Sequence, residues 1–152
     1  MLAPNGSHEI EREMAVDLPE KVRVRIEVPR GGLIKRELHQ GNRVDYVSPI
    51  PSPFNYGFVP GSAAEDGDPV DALVLGPRLK VGDEVEMPVV AYVRFVDSGK
   101  ADHKLVVSES ELSDAQLARI KAFFRMYALA KRMLNHLQRQ KGKTKFYSVE
   151  RV

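Results

Sequence analysis

Phe54-Asn55-Tyr56-Gly57-Phe58-Val59-Pro60, followed at a short interval by Glu65-Asp66-Gly67-Asp68-Pro69-Val70-Asp71-Ala72-Leu73-Val74-Leu75, decides how the chain is read. Its centre places three carboxylates, Asp66, Asp68 and Asp71, within six residues. Gly67 permits a tight turn between them and Pro69 stiffens the exit. The apolar run Val70–Leu75 begins at once and predicts a buried strand. Turn chemistry explains acids beside a glycine, but not Asp71 inside the apolar run. Crowded like charges need a cation among them, and hard divalent ions take oxygen ligands. The stretch therefore predicts a metal site at the mouth of a β structure. It is not an EF-hand loop, because Val70 stands at the fifth position, where that loop needs an oxygen ligand.

Upstream, Val22–Val28 alternates apolar and charged residues, the mark of a half-buried strand closed by Pro29. Gly31-Gly32 forms a turn before a second strand over 33–38, and Gly41-Asn42 another before a third over 43–48. Three prolines in 49–53 make a stiff loop leading to Tyr56. Residues 1–16 form a loose lead-in, without clear periodicity. Downstream, Val81-Gly82-Asp83 is a turn and 84–96 a long strand, with Pro88 marking a bend or an edge. Residues 97–104 are a turn carrying Asp97 and Asp102, and 105–107 a short strand. Ser113 with Gln116 has capping-box form, and Leu117, Ile120, Phe124, Tyr127, Leu134 and Leu137 recur at helical spacing. That helix is expected to run to Lys141, with Gly142 as its stop and a last strand over 145–149. Its other face is basic. Many short strands joined by Gly/Pro turns, then one helix, predict a single domain over residues 1–152.

With 152 residues and 43% hydrophobic content, the chain can bury a real core. No apolar run reaches the length of a membrane span, and a start without signal-peptide pattern and without any cysteine fits a reducing cytoplasm. The net charge of +2 conceals an asymmetry: residues 113–152 carry ten Lys/Arg against two acids, and residues 1–112 carry 13 against 19. An acidic front and a basic tail suit metal and phosphate, and they also suit nucleic acid. Against a stacking surface for nucleic acid stands the absence of tryptophan and the thin aromatic interleaving.

The inventory matches one chemistry well. Cleaving a phosphoanhydride requires neutralising phosphate charge and deprotonating a water in line with the breaking bond. Metal-bound acids supply the first, and a carboxylate left over as base supplies the second. Lys35, Tyr56, Lys104 and Tyr127 are donors for phosphate. Rival motifs are missing: Leu137 breaks a Walker A pattern ending at Gly142-Lys143-Thr144, and the four histidines have no zinc-protease spacing. No nucleophile-elbow serine or catalytic cysteine exists either.

Asn55-Tyr56-Gly57, the run Glu65–Asp71, Asp97 with Asp102-His103-Lys104, Ile26-Glu27-Val28-Pro29 and Ile34-Lys35-Arg36-Glu37 resemble the signature of the soluble family I inorganic pyrophosphatases. Phe123–Tyr127 resembles the segment before that family's helical tyrosine. The resemblance spans roughly residues 17–150. It implies a five-stranded, OB-like closed barrel flanked by a long C-terminal helix. It also implies Mg2+-dependent cleavage of pyrophosphate, with Mn2+ as a substitute, in a homo-oligomer, commonly a hexamer. Carried across, it makes Asp66, Asp71 and Asp102 ligands of the tightest metals and Asp97 a ligand of a further metal that arrives with substrate. Glu27 and Glu37 take supporting positions, Asp68 the general base, and Lys35, Tyr56, Lys104 and Tyr127 the phosphate oxygens.

Three family positions differ: Tyr46 replaces an arginine, Ser52 a tyrosine, and Ala128 a lysine. The leaving-phosphate side thus loses two cations, each a charged hydrogen bond worth roughly 1.5–3 kcal/mol. Either other cations have moved in, Lys131 one helical turn beyond Tyr127 and Arg43 near Tyr46, or the site takes an organic diphosphate or phosphoester. A homologue that binds metal without catalysis is a third alternative.

Overall fold

The computed structural model describes residues 18–37, 41, 43–47, 51–65 and 67–152, with the backbone alone at 34–37 and 43–47. The expected lead-in over 1–16 lies outside the described residues, as do Asp66, Asn42 and Ser48. The strands are β1 (Lys21–Val28), β2 (Ile34–Glu37), β3 (Arg43–Val47), β4 (Asn55–Phe58), β5 (Asp71–Val74), β6 (Glu84–Asp97), β7 (Lys100–Ala101), β8 (Lys104–Val107) and β9 (Lys145–Arg151). One long helix, α1 (Asp114–Leu137), precedes β9.

Five strands close on themselves: β1 pairs β4, β4 pairs β5, β5 pairs β8, β8 pairs β6, and β6 returns to β1. The closed five-stranded architecture is therefore present as a ring, and only its β5–β8 pairing is parallel. β6 makes closure possible by changing partners along its length, Glu84–Pro88 to β1 and Val89–Val93 to β8. Pro88 stands at that change, beside a register shift between Val89 and Ala91. β9 adds to the outer side of β6, and β2–β3 form a separate hairpin.

The apolar runs are continuous because β5 and β8 are covered on both faces. Ala72, Val74, Leu105 and Val107 join Val24 and Ile26 in a cluster enclosed by the ring. Leu73 and Val106 turn the other way, into a second cluster with Phe95, Ile120, Phe124 and Ala128 under the helix. Fully burying one such side chain contributes about 1.5–3 kcal/mol, so these two clusters hold the ring and the helix together.

β4 was not expected as a strand, since four residues including Asn and Gly have weak strand propensity. Packing explains both. A Cβ on Gly57 would lie 2.0 Å from the Arg25 carbonyl oxygen of β1, so no other residue lets the strands approach. Asn55 is fully buried: its amide oxygen accepts from the Arg30 and Leu79 N–H groups at 2.9 Å, and its NH2 donates to the Pro77 and Val74 carbonyls.

The helix begins with the expected capping box, the Gln116 N–H donating to Ser113 Oγ and the Ser113 N–H to Gln116 Oε1. It ends four residues earlier than the sequence suggested. Arg139 takes the left-handed φ of 56°, and the Arg139 and Gln140 N–H groups donate to His136 and Asn135 carbonyls, a Schellman closure. Gly142 is not the helix stop. Its φ of 100° and a Cβ position 2.5 Å from Ser98 backbone show that it is needed for close approach to the 97–100 turn. Leu137, expected on the apolar face, is 79% exposed in that last turn.

Candidate active site

The acids that the sequence scattered over 71–102 are brought to one end of the ring by three devices. The parallel pairing of β5 with β8 sets Asp71 beside Lys104. A two-residue turn at Ser98 and Gly99, both at positive φ, folds β7 back on β6, and the Asp102 N–H donates to the Phe95 carbonyl at 2.9 Å. The loop between β4 and β5 is tied to this hairpin by Glu65, whose carboxylate accepts from the Ala101 N–H at 2.8 Å. Glu65 was not singled out in the sequence, and its acid-rich neighbourhood gave no sign of a clamp.

At the centre is Lys104, 1% exposed, with its ammonium 3.0 Å from Asp71 Oδ2 and 2.9 Å from Asp102 Oδ1. The Tyr56 hydroxyl donates to the same Asp71 oxygen at 2.8 Å. Burial would lower the Lys104 ammonium, but the Asp71 and Asp102 carboxylates hold it well above its ordinary range. Burial and then the Asp71 charge push the Tyr56 phenol well above its own, so it stays a donor. Phe95 lies 5.8 Å from the ammonium and closes the base of the site.

Asp97 is held differently. Its Oδ1 accepts from Asn135 Nδ2 at 2.8 Å and from Thr144 Oγ1 at 3.0 Å, and its Oδ2 lies 3.3 Å from Lys131 Nζ. Burial alone would raise this carboxyl, yet the Asn135 hydrogen bond and the Lys131 charge leave it below the usual carboxylate range. Asn135 also donates to Thr144 Oγ1 at 2.9 Å, so helix, turn and the approach to β9 meet on one acid. Asn135 and Thr144 escaped sequence reasoning, because a polar residue in a helix or loop gives no periodic signal of burial.

Tyr127 packs its ring 5.4 Å from Phe95, and it acts electrostatically on Tyr56, Lys104 and Lys131. Burial would lower Lys131, but Tyr127, Asp97 and Asp102 raise it. The structure thus gathers Tyr56, Asp71, Asp97, Asp102, Lys104, Tyr127 and Lys131 into one neighbourhood. Glu27 is 1% exposed, in the register shift of β1 opposite Tyr56 and Gly57. Asp68 is exposed in the turn made by Gly67 at φ 87°, its carbonyl accepting from the Ala64 N–H. Lys35 and Glu37 lie on β2, Lys35 opposite Tyr46, and their side chains lie outside the described residues together with Asp66.

The donor set is all oxygen, which fits Mg2+ or Mn2+. Two carboxylates already converge on one cationic point, the Lys104 ammonium. Among the described residues no three acidic or imidazole groups meet closely enough to hold an ion unaided. Mg2+ usually takes one or two carboxylates and completes its shell with water and phosphate oxygens.

Of the altered positions, Ser52 serves the fold: its hydroxyl donates to the Phe54 carbonyl and its backbone pairs with Gly31 and Gly32. Ala128 is 2% exposed in the core under the helix, and the side chain of Tyr46 lies outside the described residues.

Comparison with known proteins places the chain in a family. The chain is 29% identical over 126 residues to the inorganic pyrophosphatase of Gluconobacter oxydans, covering 79% of this chain and 73% of that one. It is 36% identical over 110 residues to that of Sulfolobus acidocaldarius, covering 68% and 63%. Among solved structures, the inorganic pyrophosphatase of Helicobacter pylori superposes with a TM-score of 0.69 at 30% identity, covering 87% of this chain and 85% of that one. The Thermus thermophilus enzyme gives 0.70 at 28%, covering 89% and 84%. Residues 24–149 match the family model described as inorganic pyrophosphatase, and the chain belongs to that family.

Proposed function

We propose that this chain hydrolyses inorganic pyrophosphate to two phosphates with Mg2+, for which Mn2+ can substitute. The observation that carries the reading is the convergence of Asp71, on β5, and Asp102, in the loop between β7 and β8, on one cationic point beside Tyr56. In this reading Asp71, Asp102 and Asp66 hold the metal ions, Asp97 contributes a further ligand oxygen, and Glu27 and Glu37 support the set. When bound, the ions neutralise phosphate charge and lower the pKa of a water.

The chain's own groups do the rest. Asp68, exposed in its turn, takes the proton of that water. The water oxygen bonds to one phosphorus, and the bridging oxygen departs with its electron pair on the other phosphate. Lys104 donates hydrogen bonds to Asp71 and Asp102 and Tyr56 one to Asp71, and both would turn to phosphate oxygens if those acids were taken up in holding metal ions. Lys35 and Tyr127 supply the remaining donors, and Phe95 and Tyr127 exclude water from the base of the site.

We further read the chain as a cytoplasmic homo-oligomer, a hexamer by its family. Met126, Leu129, Met133 and Leu137 leave an apolar row 55–79% exposed along α1, which a second copy would cover. No helix among the described residues is long and apolar enough to cross a membrane. Sedimentation as a monomer would remove the oligomer from the reading.

The test is phosphate release from pyrophosphate with Mg2+, run beside isoprenyl and nucleoside diphosphates. Asp68→Asn should lower kcat by about 10²–10⁴, the usual contribution of a positioned base. No release from pyrophosphate by the native chain, or a preference for an organic diphosphate, would overturn the proposal.

A further inference from the structure

Two ammonium groups border the carboxylates, and they are placed very differently. Lys104 is 1% exposed and committed to Asp71 and Asp102. Lys131 is 29% exposed, with Asp97 at 3.3 Å. A lysine ammonium carries three N–H donors, so one carboxylate oxygen does not exhaust it. Positions 127, 131 and 135 follow at intervals of four, which sets Tyr127, Lys131 and Asn135 on one face of the helix. Asn135, together with Thr144, fixes the Asp97 carboxylate that Lys131 faces. Lys131 is therefore paired with an acid that Asn135 and Thr144 hold at the rim of the site. It is not an ordinary solvated lysine.

The adjoining helix position supplies no charge. Ala128 points into the core among the residues packed under the helix. A diphosphate brings several negative charges, and the described cation best able to meet it from the helix side is Lys131. We propose that Lys131 is the residue that grips the substrate's departing phosphate, turning from Asp97 to the phosphate oxygens as the diphosphate enters. The inference rests on the diphosphate reading above and assigns one of its missing cations. It also gives Asp97 a second duty: between turnovers it holds the lysine in place, and during turnover its Oδ2 is released to a cation.

The experiment compares Lys131→Met and Lys131→Arg with the native chain in saturating Mg2+. For Lys131→Met, KM for pyrophosphate should rise about 10- to 100-fold with a smaller change in kcat, the factor expected of one charged hydrogen bond. Lys131→Arg should recover most of that loss, since it keeps the charge. Affinity for methylenediphosphonate, which cannot be hydrolysed, should fall by a similar factor in calorimetry. An unchanged KM and unchanged analogue affinity in Lys131→Met, even with a lower Tm, would reduce Lys131 to a structural ion pair and overturn the proposal. Should Lys131→Met not fold, nitrogen-15 NMR of the native lysine ammonium groups decides. The Lys131 resonance moves on saturation with methylenediphosphonate if the proposal holds, and stays if it fails. A native chain that neither cleaves pyrophosphate nor binds the analogue would instead sink the diphosphate reading itself.

Discussion

Replacing Lys104 by methionine separates the two tasks of that residue, and the structure sets the size of the effect. The ammonium is 1% exposed and lies 3.0 and 2.9 Å from Asp71 and Asp102, whose side chains are 18% and 16% exposed. Methionine keeps most of the apolar stem, so the change is mainly the loss of one charge. Two largely buried carboxylates are then left facing each other without a cation. Breaking a buried ion pair from one side costs about 3–5 kcal/mol. At about 2–4 °C per kcal/mol for a chain of this size, Tm in chelator should fall by about 6–20 °C. Mg2+ should then stabilise the variant more than the native chain, because no lysine competes for the same oxygens. At a hundredfold excess over Kd, binding adds about 2.7 kcal/mol. Urea denaturation of both proteins, in chelator and in Mg2+, measures all four stabilities. A loss under about 1 kcal/mol in chelator, or an equal Mg2+ gain in both proteins, would refute the idea that lysine and metal share Asp71 and Asp102.

Two further outcomes follow from the same neighbourhood. His103 accepts from the Phe95 N–H at its Nδ1, and burial, then Arg94 and Lys104, lower it from 6.5 to about 4. The unfolded chain takes up this proton near 6.5 while the folded chain does not, so stability should be level above pH 6.5 and fall as pH drops toward about 4. Urea midpoints across that range should show the slope in the native chain and a shallower one in His103→Gln, and identical slopes would contradict it. Asn135→Leu removes donors to Asp97, Thr144 and Ser98, and should cost about 1–3 kcal/mol in urea denaturation near neutral pH. Because this donor depresses the Asp97 carboxyl below 3.8, its stabilising effect is present above that pH and is lost as pH falls through the lowered folded value. The variant's deficit should therefore shrink in acid, and a deficit independent of pH would count against Asp97 as the group being held.

That Asp71 stands on an otherwise apolar strand was legible in the sequence, because a charge inside an apolar run has no local explanation. The strands over 22–28, 70–75, 84–96 and 105–107 were legible for a related reason, since period and continuity of apolar residues follow burial directly. β4 was hidden because Asn55 and Gly57 are chosen for contacts with β1 and the loops, neither of which lies nearby in sequence. The helix end misled for a chemical reason: Arg139 occupies the left-handed position that a glycine usually fills, while the glycine three residues on serves a different contact. Glu65, Asn135 and Thr144 could not be found from pattern at all. Each acts across 9–47 residues on a partner set by the tertiary fold.

That dependence on the fold has a consequence for how the helix takes part in catalysis. Ile120, Phe124 and Ala128 pack α1 onto the ring, also at intervals of four, and the row at 127, 131 and 135 lies beside them on the same cylinder. Each residue step turns a helix by about 100°, so the packed row fixes the direction in which the polar row points. Ala128 belongs to the packed row, and its small size lets the helix lie close to Phe95. A lysine there would have to bury its stem in that cluster or lift the helix, which would swing Tyr127 and Asn135 away from the acids. The uncharged residue at position 128 and the charged one at position 131 are on this view one arrangement. A small residue on its core face lets the helix seat deeply, and that seat sets the lysine of the adjoining row toward Asp97.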